Sequence, residues 1–263
     1  MFIKFLTMQI KFITLLIISC IALSSNSQTA IIAKYNFSHV RDTNNPQNIY
    51  KDIMIMTANN NASLYKSYSY HLFDSLMEHS TSNEEIKFPK GSPEQLYTNF
   101  TTQEIILIRP LINDKFAIKT SLQKTDWELI DSTQKFGILI CKKARGKFRG
   151  RVYNCWYCPD IAVQSGPWKL NGLPGLIINA TDEKKQVSFI LSEIWQTQNQ
   201  DVELPKPLTY ITEEKFNEML EALVSNPNAF LENNNSNQNN TIEFKQNSKV
   251  KKKLKWNNPL ELN

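Results

Sequence analysis

Histidine is nearly missing from this sequence: among 263 residues only His39, His71 and His79 carry an imidazole, all in the N-terminal third. A zinc centre, which gathers Cys and His ligands, has little to be built from. Motifs that announce a reaction are missing too. No segment has the GxxxxGK[ST] spacing of a phosphate loop, the glycine pattern of a dinucleotide fold, a GxSxG elbow or an HExxH helix. Asp160, Asp182, Glu183 and Glu193 supply carboxylates, yet none forms a sequence-evident acid/base pair of the kind that glycoside hydrolysis uses. No catalytic residue, no metal-ligand set and no cofactor site is therefore expected. A formal charge of +5 is too small to imply nucleic acid, which demands concentrated basic surface. Beyond residue 23 there is no apolar run of the about 20 residues that a membrane-crossing helix needs. Helical patterns do not recur between strand patterns, so the crossovers of a parallel sheet lack material.

What is present begins with an N-terminal leader. Residues 1–27 hold Lys4 and Lys11 but no acid, and Phe12 to Leu23 is almost wholly apolar before the polar run Ser24 to Gln28. This is the shape of a secretory signal peptide, with cleavage expected near Ser27 or Gln28. Lipid attachment at Cys20, preceded by Ile17-Ile18-Ser19, is the alternative route, and a retained N-terminal helix the third. Either of the first two places the chain in the periplasm or at the outer envelope or cell exterior, with no transmembrane span left and a formal charge of +3 once Lys4 and Lys11 are gone. Residues 28–263 are read as one β-rich domain.

From Ile31 to Phe37 the chain alternates, with Ile31, Ala33, Tyr35 and Phe37 on one face and Ile32, Lys34 and Asn36 on the other, which predicts a first strand. Pro46 and the Asn residues around it read as a wide turn before a second strand at Tyr50–Met56, whose Ile53 and Ile55 share a face. Leu64 to Tyr70 reads as a third, with Tyr65, Ser67 and Ser69 opposed to Leu64, Lys66, Tyr68 and Tyr70. The spacing then becomes helical: Leu72, Phe73, Leu76 and Met77 form a stripe, leaving Asp74, Glu78 and His79 toward water. A long loop follows through Pro89, Gly91 and Pro93.

Further strands are expected at Glu104–Ile108, Lys115–Ile118, Trp127–Leu129, Phe136–Lys143, Arg151–Tyr157, Leu176–Ala180 and Val187–Trp195. Turn chemistry between them comes from Asn113-Asp114, Asp131-Ser132 and Thr181-Asp182-Glu183. Thr212 suits the N-cap of a second helix carrying Phe216, Met219, Leu220, Leu223 and Val224, which Pro227 ends. Residues 232–240, mostly Asn, are too polar to bury and are expected as a surface loop. Lys249, Lys251, Lys253 and Lys255 alternate with Val250, Leu254 and Trp256 as a last strand whose wet basic face guards an edge or meets a phospholipid or polyanion. So many short strands predict a mainly β fold: a large curved antiparallel sheet, or a partly open barrel or sandwich, with two short helical excursions.

Cys141 to Cys158 is a hairpin candidate. A turn over Gly146–Gly150, centred on Phe148, sets Cys141 opposite Cys155, and on that register a Cys141–Cys155 disulfide is expected. A one-residue slip removes it. Cys155-Trp156-Tyr157-Cys158 also has CxxC spacing, but on a strand residues three apart point to opposite faces, which argues against a redox or zinc pair.

Gly166-Pro167-Trp168-Lys169, followed by Gly172-Leu173-Pro174-Gly175-Leu176-Ile177, resembles the signature of the GLPGLI family of exported Bacteroidota proteins. The likeness widens to Lys135–Ala144 with Gly137 and Cys141, to Phe148-Arg149-Gly150-Arg151 with Trp156 and Pro159, and to the ending Asn258-Pro259-Leu260-Glu261-Leu262. It implies an envelope protein, of a kind often encoded near outer-membrane transport systems. It implies no particular activity and no catalytic residues. Cys155 and Cys158 depart from the family pattern, in which non-cysteine residues are common at those places.

Physically, the hexapeptide region reads as a rigid corner between sheet segments. Gly166 and Gly172 take backbone angles closed to other residues, Pro167 and Pro174 set direction, and Leu173, Leu176 and Ile177 enter the core. A binding rim in which Trp168, Arg149 and Arg151 meet a ligand is the second reading. Arg145, Lys147, Arg149 and Arg151 form a basic hairpin tip, either solvated or in contact with an anionic headgroup, polysaccharide or partner loop. The expected function is a non-enzymatic envelope factor that binds a lipid, glycan or protein, one architecture being a curved sheet that shelters an apolar ligand. The alternative is a structural or accessory protein docking to an outer-membrane assembly. The first calls for a cavity with Trp168 or other aromatics at its mouth, the second for an exposed aromatic and arginine patch.

Overall fold

The computed structural model describes residues 29–79, 89–198, 201–226 and 256–262. The expected signal peptide, the Asn-rich loop at 232–240 and the lysine-alternating strand up to residue 255 lie outside the described residues.

The alternation after the leader builds β1 (Thr29–Val40), with Ile31, Ala33, Tyr35 and Phe37 buried and Asn36 exposed. There follow β2 (Ile49–Ala58), β3 (Ala62–Ser67), α1 (Tyr68–His79), β4 (Gln95–Asn99), β5 (Glu104–Leu111), β6 (Asp114–Ser121), β7 (Asp126–Phe136), β8 (Leu139–Phe148), β9 (Arg151–Cys158), β10 (Leu176–Asp182), β11 (Val187–Gln198), β12 (Thr209–Tyr210) and α2 (Glu213–Ser225). All the strands belong to one sheet in the order β12-β6-β5-β4-β3-β2-β1-β11-β10-β9-β8-β7. β1 is its hinge line: one antiparallel meander, β2 to β6, runs away on one side, and a second, β11 back to β7, on the other. Among the described strands only the two-residue β12 is parallel to its neighbour, β6. The fold is thus the mainly β, open sheet with two short helices that the strand pattern predicts.

Leu96 and Ile105 of the first meander share one buried cluster with Phe148, Tyr153, Ile177 and Phe189 of the second. A sheet whose two wings meet in one core must curl, and its concave face is where that core lies. α2 covers the far end of the first wing. Thr212 Oγ1 accepts from the Lys215 amide at its start, and Phe216 is buried against Leu111, Phe116 and Ile118.

In β2 Ile53 and Ile55 share a face as expected, Ile55 buried and Ile53 exposed, while the opposite face, Met54, Met56 and Ala58, enters the core. Four other details differ from expectation. β3 stops at Ser67, so Tyr68 and Tyr70 begin α1. β4 went unread because Gln95, Leu96, Tyr97 and Thr98 are all buried and show no alternation. Asp131 and Ser132 form a bulge inside β7, and the β7–β8 turn is made instead at Gly137, with φ +61°. The α1 stripe also points the wrong way: Leu72, Leu76 and Met77 are 47%, 64% and 50% exposed. Asp74 turns inward because Lys66 on β3 binds its carboxylate at 2.8 Å.

Candidate functional site

The β8–β9 hairpin is tighter than its glycines suggest. Arg149 and Gly150 both have positive φ, +45° and +79°, the signature of a two-residue type I′ turn, and Phe148 faces Arg151 across it. Gly146 lies inside β8, where a Cβ would come within 2.6 Å of the Trp127 ring. The register that follows sets Ala144 opposite Cys155, so the expected Cys141–Cys155 disulfide is not formed. Cys141, Cys155 and Cys158, the cysteines among the described residues, are buried and free, and burial, with Cys158 as the next influence, pushes the Cys141 thiol pKa up.

Arg151, expected on a ligand rim, is a buried clasp. It opens β9 beside Asp182 at the end of β10, is 3% exposed, and its guanidinium donates to Asp182 Oδ2 at 2.9 Å. It also donates to the Leu260 carbonyl at 3.0 Å, to Asn258 Oδ1 at 2.6 Å and to the Pro259 carbonyl at 2.6 Å. Asp182 Oδ1 is occupied by the amides of Gln186 and Val187. The Arg149 carbonyl accepts from the Leu262 amide, and Glu261 pairs with both Arg149 and Lys169. Three of the stretches that carry the resemblance are thereby stitched together, the C-terminal Asn258–Leu262 being held on the FRGR turn and on Lys169. Arg145 pairs with Glu183 at 2.5 Å. The basic hairpin tip is therefore largely neutralised by the protein itself.

The GLPGLI corner behaves as a packed element. Leu173, Leu176 and Ile177 are fully buried, and the Ile177 carbonyl accepts from the Tyr35 hydroxyl at 2.8 Å. Gly172 has φ +88°, but Gly166 does not occupy the left-handed region; its missing Cβ makes room for Ile177, which would otherwise be met at 2.8 Å. Trp168 does take positive φ, +57°. That conformation sets its indole edge-on to Phe148, with ring centroids 5.6 Å apart, and parallel to Phe189 at 6.4 Å. Phe189 stacks on Phe37 at 4.9 Å, and Phe37 meets Tyr50 edge-on at 6.0 Å, so a continuous aromatic row crosses the concave face.

This row is one wall of a cavity of about 460 Å³. Met54, Leu96, Ile105, Leu107 and Ile118 furnish an apolar floor, and Trp168, Lys169, Pro259, Leu260 and Glu261 close one side. Of the expected trio, only Trp168 reaches it. Three buried polar atoms among its lining residues have no hydrogen-bond partner among the described residues: Tyr65 Oη, Gln95 Oε1 and His39 Nε2. Asp52 nearby accepts from Tyr50 Oη at 3.0 Å and Ser67 Oγ at 3.1 Å. Arg109 pairs with Glu94 at 2.6 Å, and the Arg41 guanidinium lies 3.4 Å over the Tyr50 ring.

Burial, then Asp52, pushes the Tyr50 hydroxyl up to about 12, and burial pushes Tyr65 well above its ordinary value, so both remain protonated at neutral pH. Burial and the Arg151 charge lower His39 to about 4. The unfolded chain, with an ordinary value of 6.5, therefore binds this proton first as pH falls. The resulting stability is complete above about 6.5 and is lost as pH drops toward about 4. Urea midpoints across that window should fall more steeply for the native chain than for His39→Gln; parallel curves would show that His39 does not contribute.

The sequence signal for this cavity was Tyr65 and Ser67 sharing a face of β3. That face is the concave one. Gln95 and Asp52 carried no signal, one lying in an unread strand and the other paired only through the fold. Among the described residues no group of three His, Cys, Asp or Glu side chains is placed to hold a metal ion, and no described helix is long and apolar enough to cross a membrane.

No family model matches the chain, and no curated protein does. Two solved structures of PNGF-II, in the C2 and P21 space groups, are similar to it, each with a TM-score of 0.53 at 16% identity. Each alignment covers 74% of this chain and 33% of the PNGF-II chain, so this protein matches about a third of the length of those structures. At that identity the likeness is one of fold.

Proposed function

We propose that this chain is a non-enzymatic binding factor of the cell envelope, of the GLPGLI type, which holds a small amphipathic ligand in the concave cavity. The observation that carries the reading is the pair of unpartnered groups, Tyr65 Oη and Gln95 Oε1, among the lining residues of a hollow with an apolar floor and an aromatic wall. A buried polar group without a partner costs about 1–3 kcal/mol, which a ligand hydroxyl or amide recovers by bonding to it. The volume of about 460 Å³ fits small-molecule sites. An apolar body would rest on Met54, Leu96 and Ile105 and against the Phe189 and Trp168 rings, with a hydroxylated head, as lipids and glycans both carry, at Tyr65 and Gln95. The leader supports the envelope setting. The accessory-protein reading has less support, because Arg145, Arg149 and Arg151 are engaged by Glu183, Glu261 and Asp182.

The test is native mass spectrometry of the protein taken from its own envelope without delipidation. A reproducible small-molecule mass on the chain is expected. A second polypeptide in its place would favour docking, and a bare chain would contradict the proposal.

A further inference from the structure

We infer that Cys141 and Cys158 join in a cross-strand disulfide when the chain folds at an oxidising thiol–disulfide poise. The Arg149-Gly150 turn sets the geometry. In a two-residue hairpin the flanking residues, here Phe148 and Arg151, exchange backbone hydrogen bonds, and facing pairs then alternate between hydrogen-bonded and non-hydrogen-bonded. Lys142 faces Tyr157, and carrying that register one step further brings Cys141 opposite Cys158, an odd number of steps from the turn. That is a non-hydrogen-bonded position, where facing Cα atoms stand about 4.5 Å apart and Cβ atoms are closest. A disulfide spans this separation.

Both side chains are fully buried, and Cys158 acts electrostatically on the Cys141 thiol. Cys155 does not compete, because it faces Ala144 and strand alternation puts it on the other side of β9 from Cys158. Burial of Cys141 disfavours its thiolate in the finished fold, so the exchange belongs to folding, before β8 and β9 are covered.

With oxidised glutathione as oxidant, the Cys141 thiolate attacks one glutathione sulfur and expels the first glutathione thiolate. The Cys158 thiolate then attacks the Cys141 sulfur and expels the second. The two protein thiol protons end on the two released glutathiones, and the two electrons reduce the oxidant's S–S bond.

The full chain, denatured and reduced, is refolded in oxidised and reduced glutathione, alkylated and digested. The folded product should lose the mass of two hydrogens, and a peptide containing Cys141 should be joined to one containing Cys158. Chymotryptic cleavage after Trp156 separates Cys155 from Cys158, so the wild-type chain alone decides the assignment. Cys155→Ala should keep the link and Cys158→Ala should lose it. A wild-type chain that regains its fold with Cys141 and Cys158 both alkylated, or one that links Cys141 to Cys155 or Cys20, overturns the inference.

Discussion

Arg151→Met will cost about 3–5 kcal/mol of folding stability, the range for removing one partner of a buried ion pair. The Asp182 carboxylate, almost fully buried, keeps the amides of Gln186 and Val187 but loses its only cationic partner among the described residues. The same substitution removes the donors that hold Asn258, Pro259 and Leu260. Since Pro259, Leu260 and Glu261 wall the cavity, the C-terminal segment should become protease-sensitive and ligand retention should fall with it. Adding Asp182→Asn, which removes the stranded charge yet keeps an oxygen for both amides, should recover part of the loss. Guanidinium midpoints of the single and double variants measure this; a single-variant loss under about 1 kcal/mol, the size of an exposed pair, would show that the clasp is not stabilising.

Gly175→Ala should be comparably severe, about 4 kcal/mol or more, a size that needs a specific structural cause. Two causes coincide. Gly175 sits at φ +141°, which side-chain-bearing residues rarely adopt, and a Cβ there would lie 2.2 Å from the Cys158 carbonyl oxygen, part of the backbone of β9. Neither the oxygen nor β10, which begins at the next residue, can give way without opening the β9–β10 pairing. Gly137→Ala is the control. Its φ of +61° is also left-handed, but open space surrounds the Cβ, so only the backbone cost of about 1–2 kcal/mol is expected. Thermal midpoints of the two variants should differ widely; equal effects would show that the close approach at Gly175 is relieved by local movement.

Strand alternation made much of the fold legible. β1 reads correctly residue by residue because one of its faces is buried and the other wet, and α2 reads correctly from its Thr212 cap and its Phe216 spacing. β4 was hidden because a strand buried on both faces carries no alternation. The α1 stripe misled for another reason: Lys66 on β3 binds the Asp74 carboxylate and turns that residue toward the sheet. At the site, the sequence marked Trp168 and the Leu173–Ile177 anchors but misassigned Arg151, whose partners lie 31 and more than 100 residues away. A pattern confined to neighbouring positions cannot distinguish a solvated arginine from one clasped by a distant carboxylate. The cysteine register failed on a smaller point, because glycines at 146 and 150 suggested a wide turn, whereas Gly146 serves the packing of Trp127.

The binding claim can be tested most directly by occluding the cavity without disturbing its core. Thr120 lines the hollow from an exposed position on β6, so Thr120→Trp should narrow it while the buried floor stays intact. Native mass spectra of the wild-type and Thr120→Trp chains, prepared side by side from the same envelope, should show a small-molecule mass on the first and none on the second. The same mass retained at full occupancy by a folded Thr120→Trp chain would place the ligand elsewhere and contradict the account.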